Sequence, residues 1–298
     1  MSRSGRNQNG QTRGRFGAAV VGTLLAGILT GCAAGGDTTG SEEPREYRMR
    51  ASQEGTSDFT PGDVATEVEL GREVSARLLS RYGLHEEPSV QNYVRLVGQS
   101  IAMNTPRSEL EYHFAVLDTS AVNAYAAPGG YVFITRGALG RLEDEAELAG
   151  VLAHEIAHVN QRHIVHELDI RGAESGMVSG LSRVLGSSGD PAQAAFSSAV
   201  NQAVDVLLET GLEREDELEA DAIGTRLLAL TGYDPAALRR YLERLGDHRE
   251  AAAIQQGVAG THPPFPVRLE ALDETLVDAG LTDAQAPRME ERFHARMP

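Results

Sequence analysis

The chain has 298 residues, 41% of them hydrophobic, enough for one medium domain with its own core plus some sequence outside it. Its 27 basic and 43 acidic residues give a formal charge of -16, an acidic balance that argues against a nucleic-acid partner. Cys32 is the single cysteine, so no intramolecular disulfide can form.

The first 31 residues carry Arg3, Arg6, Arg13 and Arg15 with no acid, and residues 16–31 form a short apolar run ending at Cys32. This is the layout of a signal peptide; a spanning helix needs about 20 apolar residues and tolerates fewer glycines. The segment Leu29-Thr30-Gly31-Cys32 resembles the lipobox of bacterial lipoproteins, which implies that 1–31 are removed and Cys32 is lipidated as the new N-terminus. Acyl chains there would anchor the protein to a membrane, each buried CH₂ contributing about 0.8 kcal/mol. Ala33 and Ala34 follow, instead of the aspartate that resembles an inner-membrane retention signal, so the expected address is the periplasm, on the outer rather than the inner membrane. Residues 32–60, rich in Gly, Ser, Thr and Glu, read as a flexible tether.

The folded domain is expected over 61–278, with 279–298 as a C-terminal tail. Val64, Val68, Gly71, Val74 and Leu78 recur at helical spacing up to Gly83, and Val90, Val94, Val97 and Ile101 mark a second helix that ends before Pro106. Tyr112, Phe114 and Val116 alternate as a strand does, and Tyr131 to Ile134 form a second β-like run after the turn Pro128-Gly129-Gly130. One long helix is expected from about Glu143 to Glu167, with Leu148, Leu152, Ile156 and Val159 on one face. Residues 172–200, rich in Ser, Gly and Ala, read as a loop or weak helix over the active site. Helices resume over about 201–229 and again after Asp234-Pro235, a capping Asp before a Pro at the first helical position.

The long helix carries His154-Glu155-Ile156-Ala157-His158, the pattern H-E-x-x-H. Four residues advance a helix by about 400° and 6 Å, so both imidazoles face one way and can share a tetrahedral Zn²⁺. Glu155, beside them, can reach an attacking water as general base without ligating the metal. Two histidines do not hold zinc alone, and a third ligand is available in the acidic run Arg214 to Asp221. Glu217 and Asp221 are four apart on a predicted helix, so one can ligate while the other accepts a ligand histidine's N–H. Spacing does not choose between Glu217 and its neighbours Glu213, Glu215 and Glu219. His163 and His166 lie beyond the motif and suit a supporting or surface role better than ligation, while His85, His113 and His248 have no evident partner.

Three segments carry a resemblance to the zinc metallopeptidase family of HtpX, the CAAX prenyl protease and the periplasmic proteases BepA and LoiP. They are Asn123 to Gly130 with the following strand and Thr135-Arg136-Gly137; Leu148 to His158 with His163; and Glu217 to Asp221. A fourth, Thr261-His262-Pro263-Pro264 followed by Arg268, is similar to the family's C-terminal His-Pro signature. The resemblance implies an α+β, mostly helical, gluzincin-like peptidase domain with a small β-sheet. It implies one Zn²⁺ per chain on His154, His158 and Glu217, with Glu155 as base and Asp221 and Arg268 in support. It also implies that His262 acts beside the active site, as oxyanion stabiliser or removable fourth ligand. Asn123, Gly129, Gly130 and Tyr131 would bind substrate, the strand after Pro128 being the edge on which a peptide lies. The match has departures: Glu213 replaces the Ser or Thr of many relatives, the loop before it is unusually rich in Gly and Ser, and the multiple transmembrane helices of the HtpX and CAAX branches have no counterpart. The implied function is an endopeptidase acting on unfolded or misassembled envelope proteins, with a possible link to outer-membrane assembly machinery. The rival readings are a chaperone or assembly lipoprotein using the same groove, and a structural zinc lipoprotein.

Overall fold

A computed structural model describes residues 61–168, 190–247, 254 and 261–297. Residues 1–60, with Cys32, and residues 169–189, with 172–189 of the expected loop, lie outside the described residues. Helix α1 (Pro61–Tyr82) opens on a proline, where a missing N–H costs nothing, carries Asp63 in its first turn, and stops at Gly83 with φ 72°. Helix α2 (Pro88–Ala102) follows the same rule and buries Val90, Val94, Val97 and Ile101, the stripe expected from their spacing. In α1 the buried stripe runs through Asp63, Glu67, Leu70, Val74 and Leu78, so two acids lie inward where apolar periodicity pointed to Val64 and Val68.

Three strands form the sheet: β1 (His113–Leu117), β2 (Ala124–Ala127) and β3 (Tyr131–Thr135), in the order β1-β3-β2. β1 runs parallel to β3 with His113 opposite Tyr131, and β2 runs antiparallel to β3 with Ala124 opposite Ile134. The strand after Pro128, expected at the edge, is therefore central: both of its sides are used in pairing, and the edge strands are β1 and β2. Period-two alternation sorts the side chains into two cores. Phe114, Val116, Val132 and Ile134 join the core with α2 and the central helix, whereas Leu117, Tyr125 and Phe133 join the one with α1. Gly129, at φ 72°, closes the β2–β3 connection against α1, where a Cβ would lie 2.5 Å from the Val68 Cα.

After the short α3 (Arg136–Leu139) comes α4 (Glu145–Gln161), capped by Asp144, whose side chain accepts from Glu147 N at 2.8 Å. Every residue of α4 up to Asn160 is buried, as expected of a helix packed on all sides. The long helix expected to reach Glu167 breaks at Arg162, which takes φ 57°, and the short α5 (His163–Glu167) leaves in a new direction. Glu67 accounts for the break: its Oε2 accepts from Arg162 Nε at 3.1 Å and from Arg107 at 2.9 Å, while Oε1 accepts from Arg107 at 2.7 Å and from Gly129 N.

Helix α6 (Asp190–Asp205) occupies the end of the stretch expected to be loop; it starts at an Asp-Pro pair and sends Val200 and Ala203 into the second core beside α1. A π turn (Val206–Thr210) leads to α7 (Arg214–Thr231), then α8 (Ala237–Asp247) and α9 (Phe265–Asp278). The segment read as a tail instead ends in α10 (Glu290–His294), which buries Phe293 against Tyr93 and pairs Arg292 with Glu145 at the start of α4. Among the described residues no helix is long and apolar enough to cross a membrane.

Candidate metal centre and active site

α4 and α7 lie against each other along their length, and their facing residues build the site. A Cβ on Gly224 of α7 would come within 3.1 Å of the His154 backbone nitrogen, so the two helices meet at a glycine. Glu217, Asp221 and Gly224 are four and three residues apart and share the face turned to α4. His154 and His158 present their Nε2 atoms 3.0 Å apart. Glu217 Oε2 lies 3.6 Å from His154 Nε2, and its Oε1 lies 3.4 Å from His158 Nε2. His262, in the loop before α9, brings its own Nε2 to 3.6 Å from Glu217 Oε2.

These distances test whether a metal fits. Four donors at about 2.0–2.1 Å from a tetrahedral ion stand roughly 3.3 Å from one another, close to the spacings found. Asp221 Oδ1 lies 2.9 Å from His154 Nδ1, and a carboxylate only accepts, so that nitrogen carries a proton and Nε2 is the atom left to offer a lone pair to a cation once it gives up its own proton. Glu217 Oε2 is the single buried side-chain oxygen or nitrogen without a hydrogen-bond partner among the described residues. A cation among these donors would satisfy that oxygen and the converging lone pairs, so the residues fit the ion.

Charge supports the arrangement. Burial pulls Glu217 towards the neutral acid, but His262, His154 and Arg268 outweigh it and hold the pKa at about 2. Burial pushes His158 well below the usual imidazole range and takes His262 down to about 4, so both rings are neutral near pH 7. At His154, burial and Arg268 push down, yet Asp221 and Glu217 prevail and raise the pKa to about 9. Glu155, 4% exposed, is raised to about 7 by burial, with the His154 charge acting the other way. A carboxylate with that pKa can take and return a proton at neutral pH. Arg268 grips Asp221 through both oxygens, at 2.6 and 2.9 Å, fixing the acid that fixes His154.

Two clefts open on either side of Glu155. One, of about 480 Å³, is lined by Asn123, Ala124, His154 and His262 and walled by Val122, Leu238, Leu242 and Phe265. The other, of about 320 Å³, runs from Ala124, Tyr125 and Ala126 past His158 to Val206, Leu207 and Leu212. Both touch β2, so the edge strand borders the site along its length. The structure thus gathers His154, Glu155, His158, Glu217, Asp221, His262, Arg268 and Asn123 of the expected residues. Gly129, Gly130 and Tyr131 line neither cleft: Gly129 N bonds to Glu67, and Tyr131 stacks on His113 at the far end of the sheet. Tyr125 and Ala126 were missed because the run Ala-Tyr-Ala-Ala has little alternation or β-branching to announce a strand.

Comparison with known proteins agrees with this geometry. The chain is 27% identical over 213 residues to the beta-barrel assembly-enhancing protease of Escherichia coli (strain K12), covering 70% of this chain and 43% of that protein. It is 28% identical over 250 residues to the protein of that name from Yersinia pestis, covering 82% and 50%. Against the mitochondrial metalloendopeptidase OMA1 of Schizosaccharomyces pombe it is 31% identical over 230 residues, covering 73% and 64%. The chain spans half or less of the length of the two bacterial relatives. Residues 88–276 match Peptidase family M48, well over half of the sequence, and the chain belongs to that family of metallopeptidases.

Proposed function

We propose that this protein is a zinc endopeptidase that cuts unfolded or misassembled proteins of the bacterial envelope, with one Zn²⁺ held by His154, His158 and Glu217. The observation that carries the reading is the set of donors spaced 3.0–3.6 Å apart around a partnerless carboxylate oxygen, with Glu155 beside them. Zinc, when bound, polarises a scissile carbonyl and makes water nucleophilic at neutral pH. Glu155 takes a proton as water attacks the carbonyl and delivers it to the departing amine. β2 is an edge strand that lines both clefts, and although its residues are buried, its unpaired side would offer backbone N–H and C=O groups to an extended peptide entering there. The apolar walls of the two clefts favour apolar side chains on both sides of the cut bond. Such side chains are buried in folded proteins and accessible in unfolded ones, which supports the substrate class.

His262 approaches as a fourth donor, so substrate must displace it, and resting activity is low until it moves. Lipidation of Cys32 would tether the enzyme on the periplasmic side of the outer membrane, and the name of its bacterial relatives supports a link to beta-barrel assembly. The test compares zinc content and casein cleavage for wild type, His262→Ala and Glu155→Gln. Stoichiometric zinc in all three, with only Glu155→Gln inactive, supports the reading. Zinc without cleavage by either wild type or His262→Ala would shift the function to holding unfolded proteins in the same groove.

A further inference from the structure

His163 follows His158 by five residues, and on an unbroken helix the two would point about 140° apart. The left-handed Arg162 between them turns the chain, and His163 folds back so that its Nδ1 lies 2.7 Å from His158 Nδ1, with ring centroids 4.9 Å apart. Its other nitrogen, Nε2, lies 3.1 Å from Glu219 Oε2, and the second oxygen of Glu219 accepts from Gln161 at 3.0 Å. His163 is 2% exposed. The hydrogen bonds fix every proton in this row once His158 Nε2 keeps its lone pair for a metal. His158 Nδ1–H donates to His163 Nδ1, whose proton therefore sits on Nε2 and is donated to the Glu219 carboxylate.

We infer that His163, backed by Glu219, is a positioning residue for the metal centre: it fixes the ring and tautomer of His158 as Asp221 fixes those of His154. This inference rests on the zinc reading of His154, His158 and Glu217. The two ligand histidines are thus supported unequally, one by a carboxylate directly and the other by a carboxylate acting through a second imidazole. Asp216 also lies near His163 Nε2, at 3.7 Å, so the group His163, Asp216 and Glu219 invites comparison with a second cation site. The row of protons opposes that. A neutral His163 holding a cation on Nε2 would carry its proton on Nδ1, aimed at the proton of His158 Nδ1 across 2.7 Å.

The test uses the full chain, stripped of metal with a chelator, as wild type, His163→Leu, His163→Asn and Glu219→Gln. Zinc affinity is measured by competition with a chromophoric chelator, the visible spectrum is recorded with Co²⁺ in place of zinc, and each metal-free form is melted. Loss of a partner of this kind weakens metal binding by about 10- to 100-fold, the loss expected for His163→Leu, with shifted cobalt bands. His163→Asn, whose Oδ1 stands in for the imidazole Nδ1, should recover most of the affinity, and Glu219→Gln should lose less than His163→Leu. A merely structural role would lower the melting temperature and leave zinc affinity and the cobalt spectrum at wild-type values; that result in His163→Leu, or in both other variants if His163→Leu does not fold, overturns the inference. Wild type that binds no zinc would overturn the zinc reading itself, and this inference with it.

Discussion

Gly224→Ala probes whether the close contact of α4 and α7 sets the metal site. The added methyl would sit 3.1 Å from His154 N and 3.3 Å from both His154 Cα and Ala153 C, all backbone atoms that no rotamer change can move aside. Comfortable separations for such pairs are about 3.5–4.0 Å, so α7 must recede by roughly 0.3–0.7 Å. Alanine favours the helix by about 0.8–1.0 kcal/mol over glycine, while overpacking costs about 1–3 kcal/mol, so the metal-free protein should lose only about 0–2 kcal/mol. Glu217 and Asp221 move with α7, and metal–ligand distances tolerate only about 0.2 Å. Zinc affinity should therefore fall by about tenfold or more, a loss of about 1.4 kcal/mol or greater. Urea unfolding of the metal-free protein, followed by circular dichroism, gives the first quantity; chelator competition gives the second. A variant made more stable by about 1 kcal/mol with unchanged zinc affinity would refute the reasoning, because the interface would then have yielded without moving the ligands.

Three further outcomes follow from the same geometry. Zinc uptake should release a proton from His154, whose pKa of about 9 leaves it protonated at neutral pH, so affinity should rise with pH up to that value; titration calorimetry in buffers of different ionisation enthalpy would expose an absent release. Arg268→Ala should cost about 3 kcal/mol in urea unfolding, because it removes the bidentate partner of the buried Asp221 carboxylate and leaves it to His154 alone, and a loss below about 1 kcal/mol would count against the pair. Phe293→Ala should cost about 3–5 kcal/mol if α10 is part of the domain, whereas wild-type stability would return residues 279–298 to the status of a tail.

What the sequence made legible was local and periodic. The stripe of α2 and the helical register of His154 and His158 depend on spacings of a few residues and appear as expected; Asp234 does accept from Ala236 N, but α8 begins only at Ala237 and not at Pro235. Glu217 could not be separated from Glu215 or Glu219 by composition, because a helix turns by about 100° per residue and the face that meets α4 is decided by α4 itself. Once packed, Glu217 is 1% exposed while Glu219 looks sideways to His163. The edge of the sheet was misplaced for a related reason. Tyr-Val-Phe-Ile-Thr has the stronger β signal, but that signal reports burial of the faces and not lateral pairing, and β2, buried throughout as well, stands at an edge.

Arg162 shows why the remainder lay beyond local reading. Arginine is a good helix former, and nothing between Glu145 and Glu167 interrupts the helical pattern. The left-handed conformation costs about 1–2 kcal/mol for a residue with a Cβ, so an isolated segment of this sequence would continue as helix through it. Glu67 reverses that preference from 95 residues away, through a buried carboxylate that needs both Arg107 and Arg162 to offset its desolvation. Since His163 meets His158 only after the turn, the contact proposed to support His158 depends on an ion network that touches neither ring. A residue that looks like helix filler in the sequence thus sets the geometry of the site, and its role can be recognised only when the acid that holds it is seen beside it.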